Sequence, residues 1–199
     1  MANWVSVFLE ELKNISILEW VGVAFGVAQV LLAKANKVAL YPTGIIAVLI
    51  SIYIFITAGL YAESILNLYY LVMSIYGWWF WVFKRTAAPL PITQAAKSDW
   101  RTTLMIVLGG FVLLYLALRY CTDSTVPVMD AFVSATAWAG MWLLAKRKLE
   151  NWVLLNISNA VAIPLLFYKQ LPLYALLTVF LFVVAVFGFF EWKRILEKK

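Results

Sequence analysis

Seven long apolar stretches constrain the fold of this 199-residue chain. An α-helix needs about 20 apolar residues to cross the hydrocarbon core of a bilayer. The chain is 65% hydrophobic and only 13% charged, whereas soluble domains carry about 25% charged residues. We therefore predict an all-α polytopic membrane protein. Its seven transmembrane helices are expected over residues 17–34, 38–59, 62–83, 101–119, 128–145, 150–168 and 171–192.

The basic residues indicate how these spans are oriented. Thirteen of the sixteen Lys and Arg residues lie on the side reached after spans 1, 3, 5 and 7. Loops rich in Lys and Arg stay in the cytoplasm. The N-terminus is therefore predicted outside and the C-terminus inside. The sequence pI near 9.4 follows from this placement at helix ends, so we expect membrane lipid and not nucleic acid as a partner.

An internal repeat divides the chain. The sequence LLAK at residues 31–34 recurs at 143–146, and the aromatic run at 76–81 is echoed at 187–192, which are offsets of 112 and 111. These matches predict two parallel three-helix repeats, an arrangement in which transporters place the substrate between the halves. The predicted parts are an interfacial segment at 1–16, a first repeat at 17–83, a cytoplasmic loop and linker helix at 84–127, a second repeat at 128–192 and a cytoplasmic tail at 193–199.

Two further features of the inner side have local explanations. The connection over residues 84–100 carries two prolines, which predicts an exposed loop. Trp142 and Trp192 lie near the inner ends of spans 5 and 7. Indoles are enriched at the membrane interface, so both are predicted to be interfacial belt residues.

Span 6 carries the most unusual polar groups. Trp152, Asn156 and Asn159 follow i, i+4, i+7 spacing and so share one helix face. An amide in hydrocarbon has no water to bond, so it usually faces the protein interior or a cavity. An indole above two amides can hold a flat, hydrogen-bonding solute. The alternative is that the amides join packed helices.

Span 3 carries a second polar and aromatic stripe. Span 7, its counterpart in the second half, and span 2, the counterpart of span 6, are mostly apolar at the matching positions. The span 2 counterparts of the span 6 stripe are predicted to be Leu40, Gly44 and Ala47. Polarity on one helix of each half predicts a single asymmetric solute between the halves. Gln29 on span 1 is a further candidate contact. The span 3 candidates are Glu63, Asn67, Tyr70, Ser74 and Trp78.

Residue types that the chain lacks argue against several classes of site and function. It has no histidine and a single cysteine, Cys121, so no disulfide within the chain, no ordinary His/Cys metal site and no cofactor site are expected. A nucleophile–base pair cannot be assembled without histidine, which argues against an enzyme. Glu63 and Asp130 lie near the outer edge, and coupled carriers bury an ionisable group deeper. Facilitated passage is therefore predicted.

Several segments together resemble one family of membrane proteins. The segments are YPTGII at 41–46, LYAE at 60–63, NLYY at 67–70, IYGWWFW at 75–81, DAF at 130–132, WLLAK at 142–146 and ENW at 150–152. They resemble the PnuC family of bacterial vitamin transporters over nearly the whole chain. The resemblance implies a fold like a full-length SWEET transporter in the bacterial inner membrane, and a homotrimer. It also implies facilitated diffusion of an unphosphorylated vitamin that a cytoplasmic kinase then traps.

The same resemblance bears on the cargo. Most members of the family are assigned nicotinamide riboside, and relatives carry thiamine or riboflavin. The riboside type resembles W-x-x-W-x-x-x-N/D on span 6, which Trp152 and Asn159 match, while Leu155 replaces the second Trp. Nicotinamide riboside uptake, in service of NAD biosynthesis, is the predicted function, with thiamine as the alternative. Riboflavin, a sugar or a scaffold without cargo remain further hypotheses.

Overall fold

The computed structural model describes residues 8–9, 12–13, 15–57, 61–83, 91–122, 124–169 and 171–198. It contains seven helices long and apolar enough to cross a membrane, which confirms the predicted fold class. The predicted interfacial segment at 1–16 falls largely outside the described residues. The helices are α1 Ile17–Lys34, α2 Leu40–Thr57, α3 Tyr61–Phe83, α4 Lys97–Cys121, α5 Pro127–Ala145, α6 Asn151–Tyr168 and α7 Pro172–Glu197.

Local chemistry sets where several helices begin and end. A capping box opens α1, because the Ser16 hydroxyl accepts from the Glu19 amide while the Glu19 carboxylate accepts from the Ser16 amide. Pro127 and Pro172 stand at the first positions of α5 and α7, where a missing N–H costs nothing. The last helix continues to Glu197, so most of the predicted tail is helical.

Six helices form a closed ring. Contacts join α1 to α2, α2 to α3, α3 to α5, α5 to α6, α6 to α7, and α7 back to α1. The remaining helix, α4, packs chiefly against α5 on the outside of the ring. As a result, α2 and α6 lie on opposite sides of a central space.

Two tryptophans join the halves of the ring reciprocally. The Nε1 of Trp81, at the end of α3, donates to the carbonyl of Ala145 in α5 at 3.1 Å. The Nε1 of Trp192, near the end of α7, donates to the carbonyl of Ala33 in α1 at 3.0 Å. These residues are related by the offsets of the sequence repeat. Trp192 is 0% exposed, so its prediction as a belt residue is wrong.

The turns that follow α1 and α5 also meet. Asn36 and Arg147 have positive φ angles of 55° and 59°, and they stand 111 residues apart. Nε and Nη2 of Arg147 donate to Oδ1 of Asn36 at 2.9 and 2.7 Å. The guanidinium lies 4.2 Å from the ring centroid of Trp81. A buried arginine is therefore fixed between the two turns.

The connection before α4 is not the simple exposed loop that its prolines predict. Ile92 is buried in the main hydrophobic cluster. Thr93 pairs with the α5–α6 turn, because its amide donates to the Arg147 carbonyl and its carbonyl accepts from the Leu149 amide. Glu150 accepts from the Ala95 amide at 2.8 Å. These bonds fix residues 91–96 against the turn, whereas residues 84–90 lie outside the described part.

Equivalent packing in the two halves gives the register of α2 and α6. Tyr41 packs on Gly77, and Trp152 packs on Gly188. Trp152 follows Tyr41 by 111 residues, and Gly188 follows Gly77 by the same number. The counterpart of Trp152 is therefore Tyr41. The sequence-based alignment, which matched Trp152 with Leu40, is one residue out. The reason is that the LLAK match, at an offset of 112, was extended into the following helices, whereas the turns after α1 and α5 are equal in length at residues 35–39 and 146–150.

We predict that Arg147→Ala lowers the free energy of unfolding by about 2–3 kcal/mol. The change removes two charge-assisted hydrogen bonds and a cation–π contact from a buried site. Unfolding in detergent with increasing SDS measures the effect. Arg101→Ala, on the exposed surface of α4, is the control and should cost less than about 0.5 kcal/mol. An equal loss for the two variants would contradict the role of Arg147.

Candidate functional site

A cavity of about 230 Å³ occupies the centre of the six-helix ring. It is smaller than the roughly 300–1,000 Å³ typical of sites for drug-sized ligands, so it suits a compact solute. All six ring helices contribute to its wall. The lining residues are Gln29, Val30, Ala33, Val48, Tyr70, Met141, Leu144, Trp152, Leu155, Asn159, Leu181 and Ala185.

Four of the predicted site residues lie together in this cavity. They are Gln29 of α1, Tyr70 of α3, and Trp152 and Asn159 of α6. They supply two amides, a phenol and an indole, and the rest of the lining is apolar. None of the described lining residues is charged. The cavity can therefore bond hydroxyl or amide groups and stack a flat ring, with aromatic faces available to a cation.

Two glycines fix where the lining side chains lie. A Cβ on Gly44 would lie 2.6 Å from Cδ and Nε2 of Gln29, and a Cβ on Gly188 would lie 2.8 Å from three ring atoms of Trp152. A Cβ at either position would displace its neighbour, so glycine lets α2 approach α1 at Gln29 and lets α7 approach α6 at Trp152. The Trp152 indole is 1% exposed, and its Nε1 has no hydrogen-bond partner among the described residues.

Asn156 lies apart from the other amide of α6. It lines a separate apolar groove between α6 and α7, together with Val153, Ile157 and Phe190 among others. Its Oδ1 is buried without a partner in the described structure. The face of α6 toward the central cavity is Trp152, Leu155 and Asn159. The expectation that Asn156 shares this face is therefore not met.

The predicted site residues of α3 are likewise divided between the cavity wall and other surroundings. Tyr70 lines the cavity, and Ser74, one turn further, is 0% exposed with no partner for its hydroxyl among the described residues. Asn67 is half-buried and interacts within the protein, outside the cavity wall. Trp78 is 42% exposed on the outer face. It lies three residues after Ile75 and so shares the exposed helix face of that residue. The side chain of Glu63 lies outside the described residues.

Sequence reasoning missed Leu155 as a cavity residue and Trp192 as a neighbour of Trp152. A Cβ on Gly140 of α5 would lie 2.8 Å from Cδ2 of Leu155, so α5 comes close to α6 at this point. That approach places Leu155 at the wall. The family pattern on span 6, which has an aromatic residue at this position, was the one available indication.

Comparisons with known proteins agree with this architecture. Residues 16–194 match the family described as Nicotinamide mononucleotide transporter. The nicotinamide riboside transporter PnuC of Escherichia coli K12 is 22% identical over 178 residues, which covers 75% of this chain and 74% of that protein. PnuC of Neisseria mucosa is 24% identical over 196 residues, covering 92% and 74%.

The fold is also similar to a solved structure. The crystal structure of the vitamin B3 transporter PnuC superposes with a TM-score of 0.73 at 23% identity, over 98% of this chain and 88% of that one. This likeness extends over the whole ring and the outer helix. Since the family match spans nearly all of the chain, the protein belongs to the PnuC family of membrane transporters.

Proposed function

We propose that this protein takes up nicotinamide riboside across the bacterial inner membrane. The observation that carries the proposal is the central cavity, whose uncharged wall combines an indole, a phenol and two amides. A pyridinium over an aromatic face gains about 0.5–2 kcal/mol, depending on desolvation. Gln29 and Asn159 offer hydrogen bonds to the ribose hydroxyls or the carboxamide.

The cavity favours the riboside over its mononucleotide. A phosphate monoester carries about −1.5 to −2 charges at neutral pH, and proteins bind it with Arg, Lys or a helix N-terminus. No charged side chain lines the described cavity wall. Burying a phosphate there would leave its charge uncompensated, which is costly in a membrane protein.

The lining also bears on the energy source. Coupled carriers place an ionisable group near the midplane, and the described wall contains no carboxylate. We therefore propose facilitated diffusion, with a cytoplasmic kinase trapping the vitamin after entry. The two three-helix repeats at 17–83 and 128–192 would move about the cavity, and the homotrimer implied by the family would give one pathway per chain.

Binding of nicotinamide riboside to the purified protein is the first test. We expect titration calorimetry to show binding to the wild type and a roughly ten- to hundredfold loss in Asn159→Leu, because a hydrogen bond in the cavity is lost. Asn156→Leu is the matched control and should bind nearly as the wild type does. Binding of thiamine alone would reassign the cargo. Equal losses in both variants would place the site elsewhere on α6.

Transport without an ion gradient is the second expectation. In proteoliposomes loaded with unlabelled vitamin, labelled nicotinamide riboside should accumulate by counterflow, because exchange through a uniporter needs only the cargo. Ionophores that collapse proton and sodium gradients should leave the initial rate unchanged. Uptake that disappears with the gradient would rule out facilitated diffusion.

The native cysteine tests the orientation of the chain. Cys121 is exposed at the end of α4 that the basic residues predict to be outside. A membrane-impermeant maleimide should label it in intact spheroplasts. Ser98→Cys, made in a Cys121→Ser background, places a reporter at the opposite end of the same helix and should react only after permeabilisation. The reverse pattern would invert the topology.

A further inference from the structure

We propose that Trp192 is a positioning residue for the substrate, acting through the indole of Trp152. The inference rests on the proposed function, because it assumes that the solute stacks on Trp152 in the central cavity. Trp192 itself is fully buried and does not line the cavity wall. Its effect on the substrate would be indirect.

The surface on which the Trp152 indole packs, here called its seat, is formed by α7. A Cβ on Gly188 would lie 2.8 Å from Cε2, Cζ2 and Cη2 of Trp152, so the six-membered part of the indole rests on the helix backbone. Trp192 lies one turn further along α7 and meets the same indole edge-on, with ring centroids 5.6 Å apart and planes at 89°. Two contacts from one helix therefore fix the plane of the Trp152 ring.

Trp192 is itself held from the other half of the protein. Its Nε1 donates to the carbonyl of Ala33 in α1 at 3.0 Å. The side chain cannot rotate without losing that bond in a dry environment, where a lost hydrogen bond is not replaced by water. The orientation of the stacking surface in the second half thus depends on a contact with the first half.

The first half contains an equivalent unit that serves as a matched control. Trp81 meets Tyr41 edge-on at 5.2 Å and 84°, Gly77 provides the seat, and Nε1 of Trp81 donates to the Ala145 carbonyl at 3.1 Å. The geometry is nearly the same in both units. Tyr41, however, is absent from the cavity wall, whereas Trp152 forms part of it.

The test compares Trp192→Phe with Trp81→Phe in the full-length protein. Each change keeps an aromatic ring and deletes one hydrogen bond between the halves. We expect Trp192→Phe to weaken nicotinamide riboside binding roughly five- to tenfold, because the smaller ring, no longer anchored at the Ala33 carbonyl, loses its edge-on contact with Trp152. Trp81→Phe should stay within about twofold of the wild type. Thermal unfolding should shift similarly in both variants, because the lost hydrogen bonds are alike.

A double-mutant cycle separates positioning from a general loss of stability. If Trp192 acts through Trp152, then Trp192→Phe should cost less than about twofold in affinity when Trp152→Phe is already present. Should Trp192→Phe not purify as a folded protein, Gly188→Ala tests the same seat. Its control is Gly109→Ala, where an added Cβ meets no atom within 4 Å.

The outcomes distinguish this inference from the function on which it rests. A wild type that binds neither nicotinamide riboside nor thiamine overturns the proposed function, and the positioning role falls with it. A wild type that binds, with equal losses in the two tryptophan variants, overturns the positioning role alone. Additive losses in the double-mutant cycle, or equal losses for Gly188→Ala and Gly109→Ala, do the same.

Discussion

A carbonyl in the last turn of a helix has no donor further along that helix, and in a membrane no water replaces the missing bond. The ring of six helices meets this constraint at Ala145, whose carbonyl accepts from Trp81 of the opposite half. The Ala33 carbonyl accepts from Trp192 in addition to the Asn36 amide. Arg147 adds a second link by bonding Asn36 across the same boundary. The joint between the halves, and the cavity beside it, depend on these polar contacts because lipid offers no hydrophobic force to press helices together.

The helices could be predicted closely because the length of an apolar span is fixed by the bilayer and not by tertiary contacts. The predicted bounds of span 1 coincide with α1, and its capping box is local in sequence. The internal repeat predicted two three-helix units but not the order in which their helices form the ring. Its register was one residue out, since the LLAK match has an offset of 112 whereas the equivalent turn residues Asn36 and Arg147 are 111 apart.

The site was predicted less completely, for reasons of helical phase. Trp152, Asn156 and Asn159 share one face of α6, and only contact with neighbouring helices decides which edge of that face points into the cavity. The close approach permitted by Gly140 turns Leu155 toward the cavity and leaves Asn156 on the other side. Similarly, Ile92 could not be recognised as buried, because its segment has no periodicity and is fixed by backbone bonds to the α5–α6 turn.

The reciprocal tryptophan bonds have a consequence for the two halves of the chain. The first half contains both the donor Trp81 and the acceptor Ala33, and the second contains Trp192 and Ala145. Either half thus contains both a donor and an acceptor for such a bond, which is what an isologous interface between two copies related by a two-fold axis requires. A three-helix unit with both residues would be able to pair with a second copy of itself. Joining two such units in one chain would leave each half free to carry a different lining.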